Sequence, residues 1–179
     1  MELITFKFSK NFAKGYLSVI KAAEPEFEYK GKSGDYTYVR FENIDDDCYY
    51  AALYEGEPVA FLYLEAIPDM VALEESVVWV SPEHRGRGLA EVLYRIFIEN
   101  DGGILVSDSL HTEGGIALWN KFVAEGIFKV FAFDICEEGA PAEVEWDEGL
   151  AEIVTEPVTK LWVTEGTRKN HNYRLVAHK

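Results

Sequence analysis

Hydrophobic and polar positions follow two periods along the chain, and each period predicts a different kind of element. Alternating or short apolar runs predict strands, because successive side chains of a strand point to opposite faces. Such runs occupy residues 4–8, 36–41, 49–54, 58–67, 73–81, 103–107, 127–135, 160–164 and 173–177. Apolar residues at helical spacing predict helices over 12–20, 89–100 and 116–123. The pattern as a whole predicts the α+β class.

Two stretches between these elements are less regular. Residues 26–35 are polar and contain glycine, which predicts a loop or a short helix. Residues 137–157 are acidic and are predicted to form an insertion, with a short helix over 149–153. No repeat or low-complexity linker divides the sequence, so we expect a single domain over residues 1–179.

The charge of the chain constrains its partners. The sequence has 17 Lys and Arg against 32 Asp and Glu, which gives a formal net charge of −15. Such a field repels nucleic acid and anionic membranes, and it attracts cationic molecules and basic protein patches. Acidity also keeps proteins soluble, so the charge alone names no function. We expect no nucleic-acid partner and no membrane partner.

The cysteines and the start of the chain indicate a soluble protein of the cytoplasm. Cys48 and Cys136 lie far apart and in no metal-like or redox-like spacing. Residues 1–8 lack the features of a signal peptide, and no apolar stretch is long enough to span a bilayer. The acidic run 45–47 is read as a solvated loop, so we expect no metal.

The segment most informative about chemistry passes from a strand through a glycine-rich turn into a helix. After the strand and Ser-Pro-Glu-His, the turn reads Arg85, Gly86, Arg87, Gly88, Leu89 and Ala90. A helix N-terminus presents unpaired N–H groups and the positive end of its dipole, and glycines let the backbone approach an anion. A P-loop would need lysine followed by serine or threonine, and a dinucleotide fingerprint would need glycine at Glu91. The segment predicts a phosphate cradle of another kind.

The spacing Arg-x-x-Gly-x-Ala, formed here by Arg85, Gly88 and Ala90, resembles the acetyl-CoA signature of the GNAT N-acetyltransferase superfamily. The order of elements over residues 1–135 is also similar to that family. The resemblance implies the GNAT acyl-CoA acyltransferase fold, a central mixed, mostly antiparallel twisted sheet with helices on both faces. It implies acetyl-CoA as acyl donor, with its pyrophosphate on residues 85–90 and its pantetheine arm along Val78 and Val80.

A second region supports the resemblance and also departs from it. Residues 104–109 and 115–122 are similar to the family's next strand and helix, and the stretch 107–115 is also similar to acetyltransferase-like phage proteins. In the family a tyrosine on that helix often protonates the departing thiolate. Trp119 occupies the matching position, and an indole N–H is no useful acid. Ser107, Ser109, His111, a tyrosine from elsewhere or water remain as alternatives.

N-acylation needs a neutral amine and therefore a base, for which Glu74 is the first candidate. Glu74 lies at even spacing from Val78 and Val80, so the three share one face of the strand. In the histone-modifying branch of the family, a glutamate at this distance before the loop acts as base. The alternative is a solvated residue at a strand start, and Glu75 points to the opposite face. His111 is the second catalytic candidate, with capping of the next helix as its alternative.

The remaining histidines are predicted to have no catalytic role. His84 lies in the loop and is expected to face solvent or the CoA phosphates. His171 and His178 lie near the end of the chain without partner spacing and are read as surface residues.

Three functions remain open at this point. The first is an N-acetyltransferase that uses acetyl-CoA and acylates the primary amine of a small basic molecule or a protein. The second is a catalytically weak or inactive GNAT-fold binding protein whose acidic surface engages a protein partner, which the missing helix tyrosine favours. The third is a nucleic-acid mimic with an ancestral loop. The family resemblance also allows a homodimer, and the acceptor is expected to contact loops 24–35, 68–73 and 137–157.

Overall fold

The computed structural model describes residues 12–30, 35–42, 47–66, 73–107, 113–134, 152–153 and 173–179. The helices are α1 (Phe12–Ala22), α2 (Leu89–Arg95) and α3 (Glu113–Glu125). A 3₁₀ turn, Pro82–His84, precedes α2, and a π-helical turn, Ile96–Asn100, continues it. The strands are β1 (Phe27–Lys30), β2 (Thr37–Glu42), β3 (Cys48–Tyr54), β4 (Glu57–Ala66), β5 (Leu73–Val80), β6 (Leu105–Val106), β7 (Lys129–Asp134), β8 (Glu152–Ile153) and β9 (Tyr173–His178). These elements confirm the α+β class.

The chain forms two compact units. The N-terminal unit contains Phe8–Ala66 and Glu75–Asp101, and the C-terminal unit contains Met1–Lys7, Ile67–Glu74 and Gly102–Lys179. Strand β5 begins in the C-terminal unit and continues in the N-terminal unit. The single domain over residues 1–179 stays a prediction.

In the N-terminal unit, the strands follow one another in chain order from β1 to β5. The pairs β1–β2, β2–β3 and β3–β4 are antiparallel. Glu55 and Gly56 join β3 to β4 with φ values of 51° and 82°. Two such residues form the kind of turn whose twist suits a hairpin, and the predicted strands 49–54 and 58–67 pair with each other through it.

Helices cover both faces of this sheet, as predicted. The Tyr16 ring of α1 lies 6.5 Å from the Tyr49 ring and 5.2 Å from the Phe61 ring. Tyr50 follows Tyr49 in β3 and therefore points to the opposite face. Its ring contacts Phe97 of the π-helical turn at 5.8 Å. The helix that follows the glycine-rich turn is thus packed on the face opposite α1.

The C-terminal unit contains the parallel pair that makes the sheet mixed. The first two residues of β5, Leu73 and Glu74, pair in parallel with Leu105 and Val106 of β6. The pairs β6–β9, β7–β9 and β7–β8 are antiparallel. The expectation of a mixed, mostly antiparallel sheet is confirmed.

Two segments differ from the sequence predictions. Residues 26–35 were expected to be loop or helix, but Phe27–Lys30 forms β1 against β2. The segment 149–153 was expected to be helical, but Glu152–Ile153 forms β8 against β7. Both strands are short and gain their hydrogen bonds from a neighbouring strand, so local periodicity does not reveal them. The predicted strands 4–8 and 160–164 lie outside the described residues.

A carboxylate network ties the end of the π-helical turn to three strands. The hydroxyls of Tyr29 in β1 and Tyr50 in β3 each donate to an Asp101 carboxylate oxygen at 2.6 Å. Nε of Arg40 in β2 lies 3.8 Å from the same carboxylate. The backbone N–H of Asp101 donates to the carbonyl of Ile96 at 3.1 Å. This network fixes the far end of the helix whose start bears the glycine-rich turn.

Alkaline pH is expected to destabilise the fold through the two tyrosines of this network. Burial, followed by the hydrogen bond to Asp101, raises the pKa of Tyr29 to about 12 and raises that of Tyr50 too. Unfolded tyrosines ionise near pH 10, so stability that is complete below about pH 10 is lost as the pH rises through about 12. The urea concentration at the unfolding midpoint should decrease as the pH is raised from about 9 to about 11. This decrease should be smaller in the Tyr29→Phe variant than in wild type. Parallel declines in the two proteins would contradict the assignment to Tyr29.

Candidate cofactor-binding site

The glycine-rich turn begins where β5 ends. The backbone N–H of Ser81 donates to the carbonyl of Val59 in β4 at 2.8 Å, which fixes the end of the strand. Pro82 then opens the 3₁₀ turn, where its missing N–H costs no hydrogen bond. The N–H of His84 donates to the Ser81 carbonyl at 3.0 Å. The chain is therefore held on both sides of Pro82 before the glycines begin.

Gly86 and Gly88 have left-handed backbones, with φ values of 74° and 75°. A side chain rarely adopts this conformation, so glycine is required here by the backbone itself. A Cβ placed on either residue would meet no described atom within 4 Å. Among the described residues, the space at these two Cβ positions is therefore open.

Both arginines of the turn brace its backbone. Arg85 donates from Nε to the Val80 carbonyl at 3.1 Å. Arg87 donates from Nη2 to the Glu83 carbonyl at 3.4 Å and from Nη1 to the Tyr36 hydroxyl at 3.0 Å. A guanidinium has five N–H donors, so each arginine keeps further donors for an anion. Both residues are exposed and place positive charge beside the turn.

Helix α2 starts directly after the second glycine, as the sequence predicted. Gly88 caps the helix, and its carbonyl accepts the N–H of Val92 at 3.1 Å. Leu89 and Leu93 are buried, at 3% and 0% exposure, so the predicted apolar stripe anchors the helix in the core. The first turn, which includes Ala90, has N–H groups without a partner inside the helix. These groups and the helix dipole favour an anion at this position.

Strand β5 turns its predicted cofactor-contacting residues away from α1. Val77 is buried in the α1 core, and the Trp79 ring stacks on Phe61 at 5.7 Å. Val78 and Val80 alternate with them and are half-buried on the other face. Glu74 lies in the same strand at even spacing from Val78.

Of the two catalytic candidates, Glu74 lies among the described residues and His111 does not. Glu74 is the second residue of β5, and its backbone pairs with Val106 of β6. His111 and the alternative acid Ser109 lie outside the described residues. Both catalytic roles therefore stay predictions.

Trp119 and Ser107 are both buried, and their side chains make packing or hydrogen-bond contacts inside the protein. Trp119 has 0% exposure in α3, and its ring contacts Phe122 edge-on at 5.8 Å. Ser107 also has 0% exposure, and its Oγ accepts the backbone N–H of Leu175 at 2.9 Å. The Ser107 N–H donates to the Leu175 carbonyl at 2.8 Å, so this serine extends the β6–β9 pairing. Neither side chain is placed as a solvent-accessible acid.

The surroundings of two histidines, His84 and His178, differ from those that the sequence predicts. His84 is half-buried, and its Nδ1 lies 3.0 Å from the Tyr36 hydroxyl, so it does not simply face solvent or a ligand. His178 is half-buried too, with its ring stacked on Phe131 at 5.3 Å. His171 lies outside the described residues.

Tyr36 is the residue that the sequence analysis missed. It precedes β2, 51 positions before Arg87 and 48 before His84, and it contacts both side chains. Its only sequence signal is an aromatic residue at a strand start, which is a common packing pattern. Contacts over such a separation become visible only in the folded chain.

In the parts of the chain that the structure describes, no three His, Cys, Asp or Glu side chains are grouped so as to hold a metal ion. Within those same ranges, no helix combines the length and apolar composition needed to cross a membrane.

A comparison with known families agrees with this geometry. The model of the acetyltransferase (GNAT) family matches residues 16–100, a range that runs from α1 to the end of the π-helical turn. It therefore includes β5, the glycine-rich turn and α2. Among curated proteins, none matches the chain.

Proposed function

Because the match over residues 16–100 places this chain in the acetyltransferase (GNAT) family, we propose that it is an N-acetyltransferase that uses acetyl-CoA. Its acceptor is the primary amine of a small basic molecule or of a protein. Family membership supports acyl transfer in general. The observation that carries the finer proposal is the open, positively charged turn at Gly86 and Gly88 before α2.

The donors of this turn suit the pyrophosphate of CoA. The N–H groups around Gly86, Gly88 and the first turn of α2 supply backbone donors, and Arg85 and Arg87 supply charge. Among the described residues, β5 pairs with β6 through Leu73 and Glu74, and we propose that the amides of the pantetheine arm pair with the later residues of β5. Bound acetyl-CoA would supply an activated thioester.

The chain's own residues would prepare the acceptor. We assign Glu74 as the base that takes a proton from the acceptor ammonium, so that the nitrogen lone pair becomes available. His111 is the second candidate for this proton transfer. Ser107 and Trp119 are left out because both are fully buried in structural contacts.

A cationic acceptor is favoured by charge around the α1 face of the sheet. The Tyr63 hydroxyl donates to Asp47 Oδ2 at 2.9 Å, and burial together with this bond raises the pKa of Tyr63. Burial and the Glu65 carboxylate raise the pKa of Tyr16. Burial is the larger cause of both shifts, and the Asp47 and Glu65 carboxylates add to them, so negative charge lies near this face, in agreement with the net charge of −15. Homodimer formation and a cytoplasmic location stay predictions.

Gly88→Glu tests the cofactor assignment. The variant puts a side chain and a negative charge into the turn, so the affinity for acetyl-CoA and for CoA should fall by at least about 100-fold. Gly126→Glu is the matched control, because Gly126 is also exposed, has φ 59° and has no described atom within 4 Å of its Cβ position. Isothermal titration measures all three proteins. Equal affinity in Gly88→Glu and Gly126→Glu would exclude this cofactor site.

The second candidate is a CoA-binding protein with weak or no activity. It is favoured by Trp119, which is fully buried where the family often has a tyrosine. Titration and turnover together separate the two functions. Saturable CoA binding, with no acetylation of polyamines or lysine-rich peptides, would favour the binding protein.

A further inference from the structure

Three side chains connect the glycine-rich turn to the sheet, and we call them the loop clamp: Tyr36, His84 and Arg87. The Tyr36 hydroxyl lies 3.0 Å from Arg87 Nη1 and 3.0 Å from His84 Nδ1. Tyr36 itself is 7% exposed and is held by the sheet. One phenol oxygen thus contacts residues on both sides of Gly86.

One hydrogen bond of the clamp has a fixed direction, and the direction of the other depends on the tautomer of His84. A guanidinium only donates, so the Tyr36 oxygen accepts from Arg87. The Tyr36 O–H is then available to donate to His84 Nδ1. That nitrogen accepts only in a neutral imidazole with its proton on Nε2. With this donation, the clamp holds His84 as the Nε2–H tautomer.

Ring packing holds the same arrangement. The His84 ring lies 5.8 Å from the Tyr36 ring and 5.1 Å from the Tyr54 ring. The Tyr36 and Tyr54 rings lie 5.6 Å apart. These contacts immobilise His84 just before the glycines, while the bond to Arg87 fixes the position between Gly86 and Gly88.

A glycine-rich turn loses much backbone freedom when it closes on a ligand. Contacts that order such a turn before binding reduce this loss and increase affinity. From the geometry of the clamp we propose that Tyr36 is a positioning residue, which orders the turn through Arg87 and His84 so that its amides are ready for the CoA pyrophosphate. The link to CoA rests on the proposed function, whereas the ordering of the turn does not.

Tyr36→Phe removes the hydroxyl and keeps the ring. Tyr38→Phe is the matched control, since Tyr38 is 5% exposed in the adjoining strand β2 and shows no hydrogen bond to the turn among the described residues. Without ligand, amide hydrogen exchange over residues 85–90 should be about tenfold faster in Tyr36→Phe than in Tyr38→Phe. The ¹⁵N shifts of His84 should indicate the Nε2–H tautomer in wild type and change only in Tyr36→Phe.

The affinity for CoA is then measured by titration in the same proteins. Tyr36→Phe should bind CoA about 5- to 10-fold more weakly than Tyr38→Phe. Unchanged exchange and unchanged histidine shifts in Tyr36→Phe would overturn the clamp. Faster amide exchange in Tyr36→Phe with an unchanged affinity for CoA would overturn the role of Tyr36 in cofactor binding. If wild type binds no CoA, the proposed function fails, and the exchange comparison still decides whether Tyr36 orders the turn.

Discussion

Asp101→Ala is expected to lower the free energy of unfolding by about 3 kcal/mol. The carboxylate accepts the hydroxyls of Tyr29 and Tyr50, and it lies beside the Arg40 guanidinium. Tyr50 is 1% exposed, so in the folded protein its hydroxyl depends on this carboxylate as its hydrogen-bond partner. The loss of the acceptor of the Tyr50 hydroxyl and of the ion pair of the half-buried Arg40 guanidinium accounts for the size of this decrease.

Asp35→Ala is the control for this stability measurement, because Asp35 is an exposed aspartate of the same unit. Urea unfolding at neutral pH compares the two variants with wild type. The control should change the free energy of unfolding by less than about 0.5 kcal/mol. A Tyr50→Phe background should reduce the effect of Asp101→Ala, since the two groups share one hydrogen bond. Equal stability of Asp101→Ala and Asp35→Ala would show that the network contributes nothing.

Glu74→Gln is expected to reduce kcat by roughly 10²- to 10⁴-fold, if Glu74 is the base that we propose. Glutamine keeps the size of the side chain and cannot accept the proton of an ammonium at neutral pH. The affinity for CoA should stay the same, because Glu74 is assigned no contact with the pyrophosphate. Turnover of a cationic amine at saturating acetyl-CoA measures the first effect, and titration measures the second.

Glu75→Gln provides the matched control, since it makes the same change at the next residue of β5, on the opposite face of the strand. The rate of the Glu74→Gln variant should also rise with pH, because a larger share of the amine is then already neutral. Equal loss of activity in both glutamine variants would contradict a specific role of Glu74. A larger loss in His111→Ala would transfer the role to that histidine.

The elements with strong local periodicity are the ones that the sequence predicts well. The stripe from Leu89 to Phe97 indicates a helix, and the structure has α2 and the π-helical turn there. The turn at Glu55 and Gly56 indicates a hairpin, and β3 and β4 form it. In both cases the information lies within a few neighbouring residues: an apolar face that must be buried, or a backbone that needs positive φ.

The elements that the sequence misses are short and depend on a neighbouring strand. β1 has four residues, and Phe27 is 53% exposed, with the Arg40 guanidinium over its ring at 5.5 Å. β8 has two residues and exists through its pairing with Phe131 and Ala132 of β7. Such strands form because the edge of a sheet offers backbone hydrogen bonds. The strand that provides this edge is not part of the local sequence, so local patterns do not predict the pairing.

For the proposed cofactor site too, part follows from the sequence and part follows only from the tertiary structure. The glycine-rich turn follows from sequence alone, because left-handed φ at Gly86 and Gly88 and a helix start are local requirements. The contact of Tyr36 with Arg87 joins residues 51 positions apart, so it follows only from the pairing of strands that brings β2 to the turn. Local backbone chemistry thus determined the turn at which we propose that an anion binds, and tertiary packing decided which side chains contact that turn.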